Sequence, residues 1–298
     1  MRQRSAIRNR MEYALVLGVV KSLEWTPLPV AKVLASGYAR LLDVAVPRLR
    51  RTACRNLALA LPGADAKAIA GGVFRSIARL LVGFARLPSI HRGNVDRWIR
   101  REGMEHFERA LAQGRGVLFA TAHLGNWELS AYAHALFTGP MHVVARPLDN
   151  PLIDRFVERR RTLSGNRLIS KRGFARSILK ALAANEAVGI LIDQNVMAEE
   201  GVFVDFFGVP ACTGAGFARL AAHSGAAVIP GFALWSEAEG RYVLRFYPPV
   251  AMTGDAARDT QALAAKLEEI VRAYPDQWLW IHQRWKTRPA GEPSLYGN

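Results

Sequence analysis

A histidine and a glutamate lie where an apolar run meets a predicted helix. The run "GVLFAT" (116–121) is typical of a buried strand, His123 follows it, and Glu128 falls in the first turn of the helix predicted for "WELSAYAHALF" (127–137). A carboxylate in that position can hydrogen-bond one imidazole nitrogen and leave the other to take a proton from a substrate. On spacing alone, a histidine beside a helix-capping glutamate explains these residues equally well.

No recognisable nucleophile accompanies this pair. The sequence has no G-x-S-x-G elbow, Cys212 lacks an adjacent histidine, and Cys54 and Cys212 do not show the spacing of a metal site. We therefore predict direct transfer with His123 as general base on an acceptor, and no metal or cofactor. Gly125 permits an unusual backbone conformation, and backbone amides near it, or an arginine, are candidate donors to an oxyanion.

The elements that position these residues alternate between strand and helix. Strands are predicted at 116–121, 142–146, 167–170, 187–193, 226–234 and 241–247, with helices at 127–137, 151–163, 174–184, 214–225 and 257–274 between and after them. This alternation predicts an α/β fold with a mostly parallel central sheet flanked by helices. Ligands in such folds bind beyond the carboxyl ends of the strands. His123, Arg146 and Asp193 all lie at predicted strand ends, so we expect them to converge.

The first 62 residues are predicted to form a membrane-associated helical region that precedes a catalytic domain at 63–298. The segment 11–46 is apolar, but Lys21, Glu24 and Lys32 interrupt it, so it holds no uninterrupted apolar run of about 18 residues. Two helices broken at 26–29 fit this pattern. Trp25 and basic clusters on both sides favour an element bound to the cytoplasmic face of a membrane. A buried helical hairpin of a soluble protein is the alternative.

The formal net charge of +15 points to anionic partners, among which nucleic acid, an anionic membrane and an acidic protein are candidates. The stretch "HQRWKTRP" interleaves aromatic and basic residues, as single-stranded nucleic-acid sites do. It is short and has no recognisable fold signature, so we predict no nucleic-acid partner.

The motif "HLGNWE" (123–128) has a histidine and an acidic residue separated by four residues, and it resembles the signature of the lysophospholipid acyltransferase superfamily. Its glutamate and its Gly-Asn-Trp filling are similar to the late acyltransferases of lipid A biosynthesis, the lauroyl and myristoyl transferases. Further blocks resemble that family in order along nearly the whole chain: "ARPLDNPLID" (145–154), "RTLSGNRLISKRG" (161–173), "LIDQN" (191–195), "GVFVDFFGVPACTGAGFARLA" (201–221) and "PDQWLWIHQRWKTRP" (275–289).

The resemblance implies a glycerol-3-phosphate acyltransferase-like fold and transfer of a fatty acyl chain to a hydroxyl of a lipid A precursor. His123 would deprotonate that hydroxyl, and Glu128 would orient His123. The donor thioester would be carried by acyl carrier protein, with acyl-CoA as an alternative. The implied location is the cytoplasmic face of the bacterial inner membrane, and the implied partners are acyl carrier protein, an anionic glycolipid acceptor and the cytoplasmic leaflet.

The resemblance also suggests substrate-binding residues. Arg146, Arg161 and Lys171 are expected to hold acceptor phosphates, whereas Arg159 and Arg160 are expected to form a solvated helix face. The remaining residues assigned to substrate binding are Gly125, Asn126, Asn150, Asp193 and Gln194. Of these, Asn150 also caps the following helix, and Asp193 is placed to orient a basic residue. Phe206 and Phe207 either wall an acyl pocket or belong to the core.

Three other functions stay open at this point. The same chemistry on another acceptor, such as a phosphoglycolipid or an aminolipid, is the nearest. A hydrolase, in which water replaces the acceptor, is the second. A non-catalytic membrane or nucleic-acid binder is the third.

Overall fold

A seven-stranded sheet forms the centre of the molecule in a computed structural model that describes residues 5–170 and 174–296. The strands are β1 (Ile99–Glu102), β2 (Val117–Thr121), β3 (His142–Ala145), β4 (Arg167–Ser170), β5 (Ala187–Leu191), β6 (Gly201–Phe206), β7 (Val209–Gly214), β8 (Ala227–Ser236) and β9 (Arg241–Phe246). The central sheet has the order β1-β9-β8-β2-β5-β3-β4, and β6 and β7 form a separate hairpin. Within the central sheet only β8 and β9 pair antiparallel.

Helices cover this sheet and form an N-terminal layer. They are α1 (Ala6–Trp25), α2 (Leu28–Ala45), α3 (Pro47–Ala60), α4 (Ala66–Arg86), α5 (Met104–Leu111), α6 (Trp127–Phe137), α7 (Pro151–Arg161), α8 (Phe174–Ala183), α9 (Gly216–Ser224) and α10 (Ala256–Ala273). The predicted α/β fold with a mostly parallel sheet flanked by helices is therefore confirmed. From β2 to β5 the bounds agree with the predicted ones to within about two residues.

The hairpin of β6 and β7 was not expected from the sequence. Phe206 pairs with Val209, so the turn consists of Phe207 and Gly208, which both have positive φ angles (60° and 75°). A two-residue turn with two such residues matches the right-handed twist of the flanking strands. Phenylalanine rarely adopts this conformation, and for that reason the segment "VDFFGVP" gives no turn signal.

The three N-terminal helices pack around α4. The break between α1 and α2 at 26–27 confirms the two predicted helices. Among the described residues one helix, α4 together with the short 3₁₀ turn that follows it (Ala66–Ser89), is long and apolar enough to cross a membrane, and 56% of its most apolar window is buried inside the protein. Burial against α1, α2 and α3 accounts for its apolar composition.

The proposed boundary at 62/63 falls in the turn between α3 and α4. Hydrophobic residues from both sides of it, among them Leu57 and Val73, share one buried cluster. The division into two regions stays a prediction.

Candidate active site

His123 and Asp193 meet at the carboxyl edge of the central sheet. Strands β2 and β5 are adjacent and parallel, and their register pairs Thr121 with Leu191. The residues two positions beyond each of these therefore lie side by side. The backbone N–H of His123 donates to Oδ2 of Asp193 at 2.9 Å, and the imidazole Nδ1 lies 2.9 Å from Oδ1.

Asp193 is buried and ionised. Its side chain is 3% exposed, and Oδ2 also accepts a hydrogen bond from the indole N–H of Trp278 at 2.9 Å. Burial alone raises the pKa of this carboxyl, but the charge and hydrogen bonds of His123 and the indole N–H lower it to about 2. Because an ionised carboxylate only accepts hydrogen bonds, Nδ1 must carry the proton. The unprotonated nitrogen is then Nε2.

The imidazole of His123 is a base with a strengthened affinity for protons. Burial lowers its pKa, but the charge and hydrogen bond of Asp193 outweigh burial, and the net shift is upward. Glu128 adds to that rise through its charge, and Arg161 opposes it. The side-chain amide nitrogen of Gln194 lies 3.5 Å from Nε2, and the Trp127 ring packs edge-on against the imidazole at a centroid distance of 5.0 Å.

The structure corrects the role expected for Glu128 as the hydrogen-bonding partner of His123. Its carboxylate accepts two hydrogen bonds from Arg161, one of them from Nε at 2.8 Å, and thus forms a bidentate ion pair. Arg161 ends α7, beside the first turn of α6 where Glu128 lies. The carboxylate on Nδ1 is instead that of Asp193. This residue was assigned to substrate binding and was also expected to orient a basic residue, and its contact with His123 confirms the second expectation. Its two oxygens face His123 and Trp278, so it is not available to a substrate.

A cavity of about 1030 Å³ opens beside Nε2 of His123. One part lies between the sheet and α6 and is mainly apolar, lined by Phe119, Tyr132, His134, Met141, Gly231, Leu244 and Phe246. Gly231 keeps this part open, since a Cβ there would lie 3.3 Å from the ring of Phe246 and 3.5 Å from that of Phe119. The rim carries polar side chains, including those of Glu128, Arg146, Arg161 and Gln194.

Gly125 and Asn126 shape the loop but do not face the cavity. The N–H of Gly125 donates to the carbonyl of Gln277, and that of Asn126 donates to the carbonyl of Ala233, each at 2.9 Å. Gly125 has φ +63°, and a Cβ there would lie 2.0 Å from the Ala233 oxygen. Asn126 is fully buried and caps α6 by accepting from the N–H of Leu129. Their backbone N–H groups are thus engaged within the fold and do not point into the cavity, and the substrate-binding and oxyanion roles expected for the two residues stay predictions.

Asn150 caps α7, as the sequence predicts, by accepting from the N–H groups of Leu152 and Ile153. Its amide nitrogen donates to the carbonyl of Asn9 and to Glu12, which ties α7 to α1. With a side chain that is buried and fully engaged, Asn150 is a structural residue at the rim rather than a substrate ligand.

The basic residues assigned to acceptor binding differ in their surroundings. Arg146 lies on the rim of the cavity with 76% of its side chain exposed, 3.8 Å from Asp149. Arg161 lines the cavity but is paired with Glu128. Lys171 lies outside the described residues. Arg160 is not on a solvated face, since it is buried, donates to the carbonyls of Phe84 and Ala85 and pairs with Glu24.

Phe206 and Phe207 belong to the core. Both are buried in a cluster with Trp278, Trp280 and Trp285, and neither lines the large cavity. The acyl-pocket interpretation is therefore wrong for these two residues. The space beside His123 is instead walled mainly by residues of the central sheet and α6.

Trp278 is the site residue that sequence reasoning missed. It lies in the closing block at 275–289, where the family resemblance was noted without a role for any residue. Among the described residues, no group of three or more histidine, cysteine, aspartate or glutamate side chains is placed to hold a metal ion.

Comparison with known proteins identifies the family to which the chain belongs. The family model for bacterial lipid A biosynthesis acyltransferases matches residues 2–287, and the chain belongs to that family. It is 32% identical to the lipid A biosynthesis lauroyltransferase of Escherichia coli over 95% of this chain and 94% of the relative. It is also 32% identical to the palmitoleoyltransferase of the same organism, over 94% of this chain and 92% of the relative.

A further relative acts on a different lipid. The phosphatidylinositol mannoside acyltransferase of Mycobacterium tuberculosis is 33% identical over 67% of this chain and 65% of the relative. The chain is accordingly an O-acyltransferase that acts on a lipid acceptor.

Proposed function

We propose that this protein transfers a fatty acyl chain from an acyl carrier protein thioester to a hydroxyl of a lipid A precursor, with His123 as general base. The observation that carries the proposal is the His123–Asp193 pair at the mouth of a large, mainly apolar cavity. Such a pair, with Nε2 unprotonated and facing open space, is suited to accept a proton from a bound hydroxyl.

In the proposed reaction Nε2 takes the proton of the acceptor hydroxyl while its oxygen attacks the thioester carbonyl carbon. The carbon–oxygen bond forms, a tetrahedral oxyanion results, and the carbon–sulfur bond then breaks. The departing sulfur takes the proton back from the imidazolium, so the base is regenerated. Asp193 holds the imidazole in the required tautomer and stabilises the imidazolium that forms in the transition state.

The oxyanion needs hydrogen-bond donors, because charge that develops in a water-poor site is costly without them. The amides of Gly125 and Asn126 are engaged in the fold. We assign this role to the side-chain amide of Gln194, which lies beside Nε2 and lines the cavity.

The acyl chain and the acceptor would occupy different parts of the cavity. The apolar space between the sheet and α6 suits a hydrocarbon chain, since Phe119, Leu244 and Phe246 offer no hydrogen-bonding groups to it. The rim suits an anionic headgroup. Arg146 is positioned there with an exposed guanidinium, and Arg161 contributes one whose charge Glu128 partly balances.

We further propose that α1 and α2 lie against the cytoplasmic leaflet of the inner membrane. Both helices expose large hydrophobic side chains along one stripe each: Ile7, Met11 and Leu15 on α1, and Val30, Val33, Leu41 and Val44 on α2. Exposed basic residues on α2 and α3, such as Lys32 and Arg48, suit an anionic surface. Since Asn150 ties α1 to the cavity rim, the apolar stripe of α1 would bring a membrane lipid close to His123.

The net charge of +15 likewise suits an acidic carrier protein as donor. Acyl-CoA is the alternative donor, and the chemistry at His123 is the same for both.

The test is mass spectrometry of purified full-length protein in detergent with a tetra-acylated, Kdo-bearing lipid A precursor. The donors are acyl carrier protein loaded with a mixture of saturated chains or, in parallel, the matching acyl-CoAs. The proposal predicts a mass gain of one acyl chain on the acceptor. Free fatty acid released at the same rate with and without acceptor would contradict it and indicate a hydrolase.

Transfer to another membrane lipid is a second candidate function. It is favoured by the similarity to the phosphatidylinositol mannoside acyltransferase of Mycobacterium tuberculosis. An acyl gain on phosphoglycolipids or aminolipids of a total membrane extract, without a gain on the lipid A precursor, would select it.

A further inference from the structure

The closing segment of the chain is bonded to the loop that carries His123. Leu124 and Trp278 form an isolated antiparallel β-bridge, the N–H of Leu279 donates to the carbonyl of His123, and that of Gly125 donates to the carbonyl of Gln277. Trp278 is 2% exposed. Hydrogen bonds at Gln277 and Leu279, the neighbours of Trp278, thus fix the backbone at Trp278 relative to the loop of His123.

The indole of Trp278 reaches past this bridge to Asp193. Its N–H donates to Oδ2 at 2.9 Å, and the backbone N–H of His123 donates to the same oxygen at 2.9 Å. Two donors from different segments hold Oδ2, and the other oxygen, Oδ1, therefore faces Nδ1 of His123. Without the indole, one backbone donor would remain to fix the carboxylate.

We infer that Trp278 is a positioning residue of the catalytic pair, which holds Asp193 toward His123 and draws part of its negative charge away from the imidazole. This inference deepens the proposed function and rests on His123 being the base. A hydrogen bond from a neutral donor to a buried carboxylate stabilises the anion. A carboxylate whose negative charge is partly stabilised by the indole N–H stabilises the imidazolium of His123 less strongly.

The other two tryptophans of the segment do not contact the pair. The indole of Trp280 donates to the carbonyl of Pro275, and that of Trp285 donates to the carbonyl of Val209. Both are fully buried in the same cluster as Trp278. Trp285 therefore provides the matched control, because its replacement removes a buried indole and its hydrogen bond to Val209, whereas Trp280 packs against the ring of Trp278 at a centroid distance of 4.6 Å.

Other charged groups near the pair stay the same in both variants. Glu128 and Arg161 face His123 from α6 and α7. His282 and Arg284 approach from the closing segment, and both interact electrostatically with Asp193. A difference between the two tryptophan variants can therefore be assigned to the indole bond on Asp193.

The experiment compares Trp278→Phe with Trp285→Phe in the full chain. The imidazole signal of His123, assigned by its loss in His123→Gln, is followed by NMR against pH, and acyl transfer to the lipid A precursor is measured over the same range. In Trp278→Phe the backbone N–H of His123 still holds Oδ2, so Asp193 stays beside Nδ1 and loses only the neutral indole donor. The pKa of His123 is therefore expected to rise. The transfer rate of this variant at pH 7 should fall about tenfold and recover above pH 9, while Trp285→Phe should titrate like the unsubstituted protein.

An unchanged His123 titration in Trp278→Phe, with a rate lowered equally at all pH values, would overturn the inference. If Trp278→Phe does not fold, 3-(3-benzothienyl)alanine at position 278 removes the N–H and keeps the shape of the ring, and the same two outcomes apply. The titration does not require activity. A shifted titration without acyl transfer by the unsubstituted protein would support the positioning role of Trp278 and refute the proposed function.

Discussion

Replacing Asp193 by asparagine is expected to put the proton of His123 on the wrong nitrogen. The Oδ2 position accepts from two N–H groups, those of His123 and Trp278, so the oxygen of the new side-chain amide must take that place. Its NH₂ group then lies where Oδ1 was, 2.9 Å from Nδ1. Because this group is a donor, Nδ1 must become an acceptor, and the proton moves to Nε2.

A histidine with its proton on Nε2 cannot take another from the acceptor hydroxyl at that nitrogen, and the imidazolium also loses its counter-charge. In enzymes that use a histidine–aspartate pair, this change lowers kcat by about 10⁴-fold, which is roughly 5 kcal/mol in the activation barrier. We expect a loss of 10³- to 10⁴-fold here, with both substrates still bound.

The assay is initial-rate acyl transfer by mass spectrometry at saturating donor and acceptor. Asp205→Asn is the matched control, since Asp205 lies in the β6–β7 hairpin, accepts from the N–H of Gly208 through an oxygen that asparagine retains, and does not line the cavity. An Asp193→Asn variant that keeps more than a tenth of the activity would refute the assignment of Asp193 as the partner of the base.

Three further predictions follow from the ion pair, the cavity and the exposed helices. Glu128→Gln and Arg161→Met should each destabilise the protein by about 1.5–3 kcal/mol, and the double variant by less than their sum. Additive losses in denaturant unfolding would show that the pair is not coupled. Gly231→Val should shift the preferred acyl chain to a shorter one in a competition among chain lengths, because it narrows the space beneath α6. Gly37→Val on α2, where an added Cβ meets nothing within 4 Å and which does not line the cavity, should leave the preferred chain length unchanged. An equal shift in both variants would contradict the location of the chain. Leu15→Glu should weaken flotation with anionic vesicles, since it puts a negative charge on the exposed stripe of α1. Unchanged flotation would remove α1 from the membrane contact.

The alternation of strands and helices could be predicted from the sequence because each element has its own hydrophobic periodicity and is bounded by residues typical of helix or strand ends. Asn150 and the proline after it mark the start of α7, and Gly225 ends α9 in a left-handed conformation. The convergence of His123 and Asp193 followed from both residues being placed at strand ends. Their direct pairing did not, since it depends on β2 and β5 being neighbours in a register that the sequence does not show.

Local spacing also favoured the wrong carboxylate. Glu128 is close to His123 in sequence, but a partner from another helix, Arg161, engages it in the fold. The two phenylalanines at 206 and 207 were ambiguous for a similar reason. An apolar pair fits a pocket or a core equally well. The hairpin that buries the two residues requires a positive φ angle at Phe207, and phenylalanine is not a residue type from which such an angle is predicted.

The most direct test of the central claim is acyl transfer by His123→Ala beside the unsubstituted protein, with the same donor, the same lipid A precursor and matched amounts of folded protein. General-base catalysis by His123 predicts a mass gain of one acyl chain with the unsubstituted protein and a loss of at least 100-fold in the variant, in line with the contribution of about 10²- to 10⁴-fold that such a base makes. Transfer at an undiminished rate by His123→Ala would contradict the account.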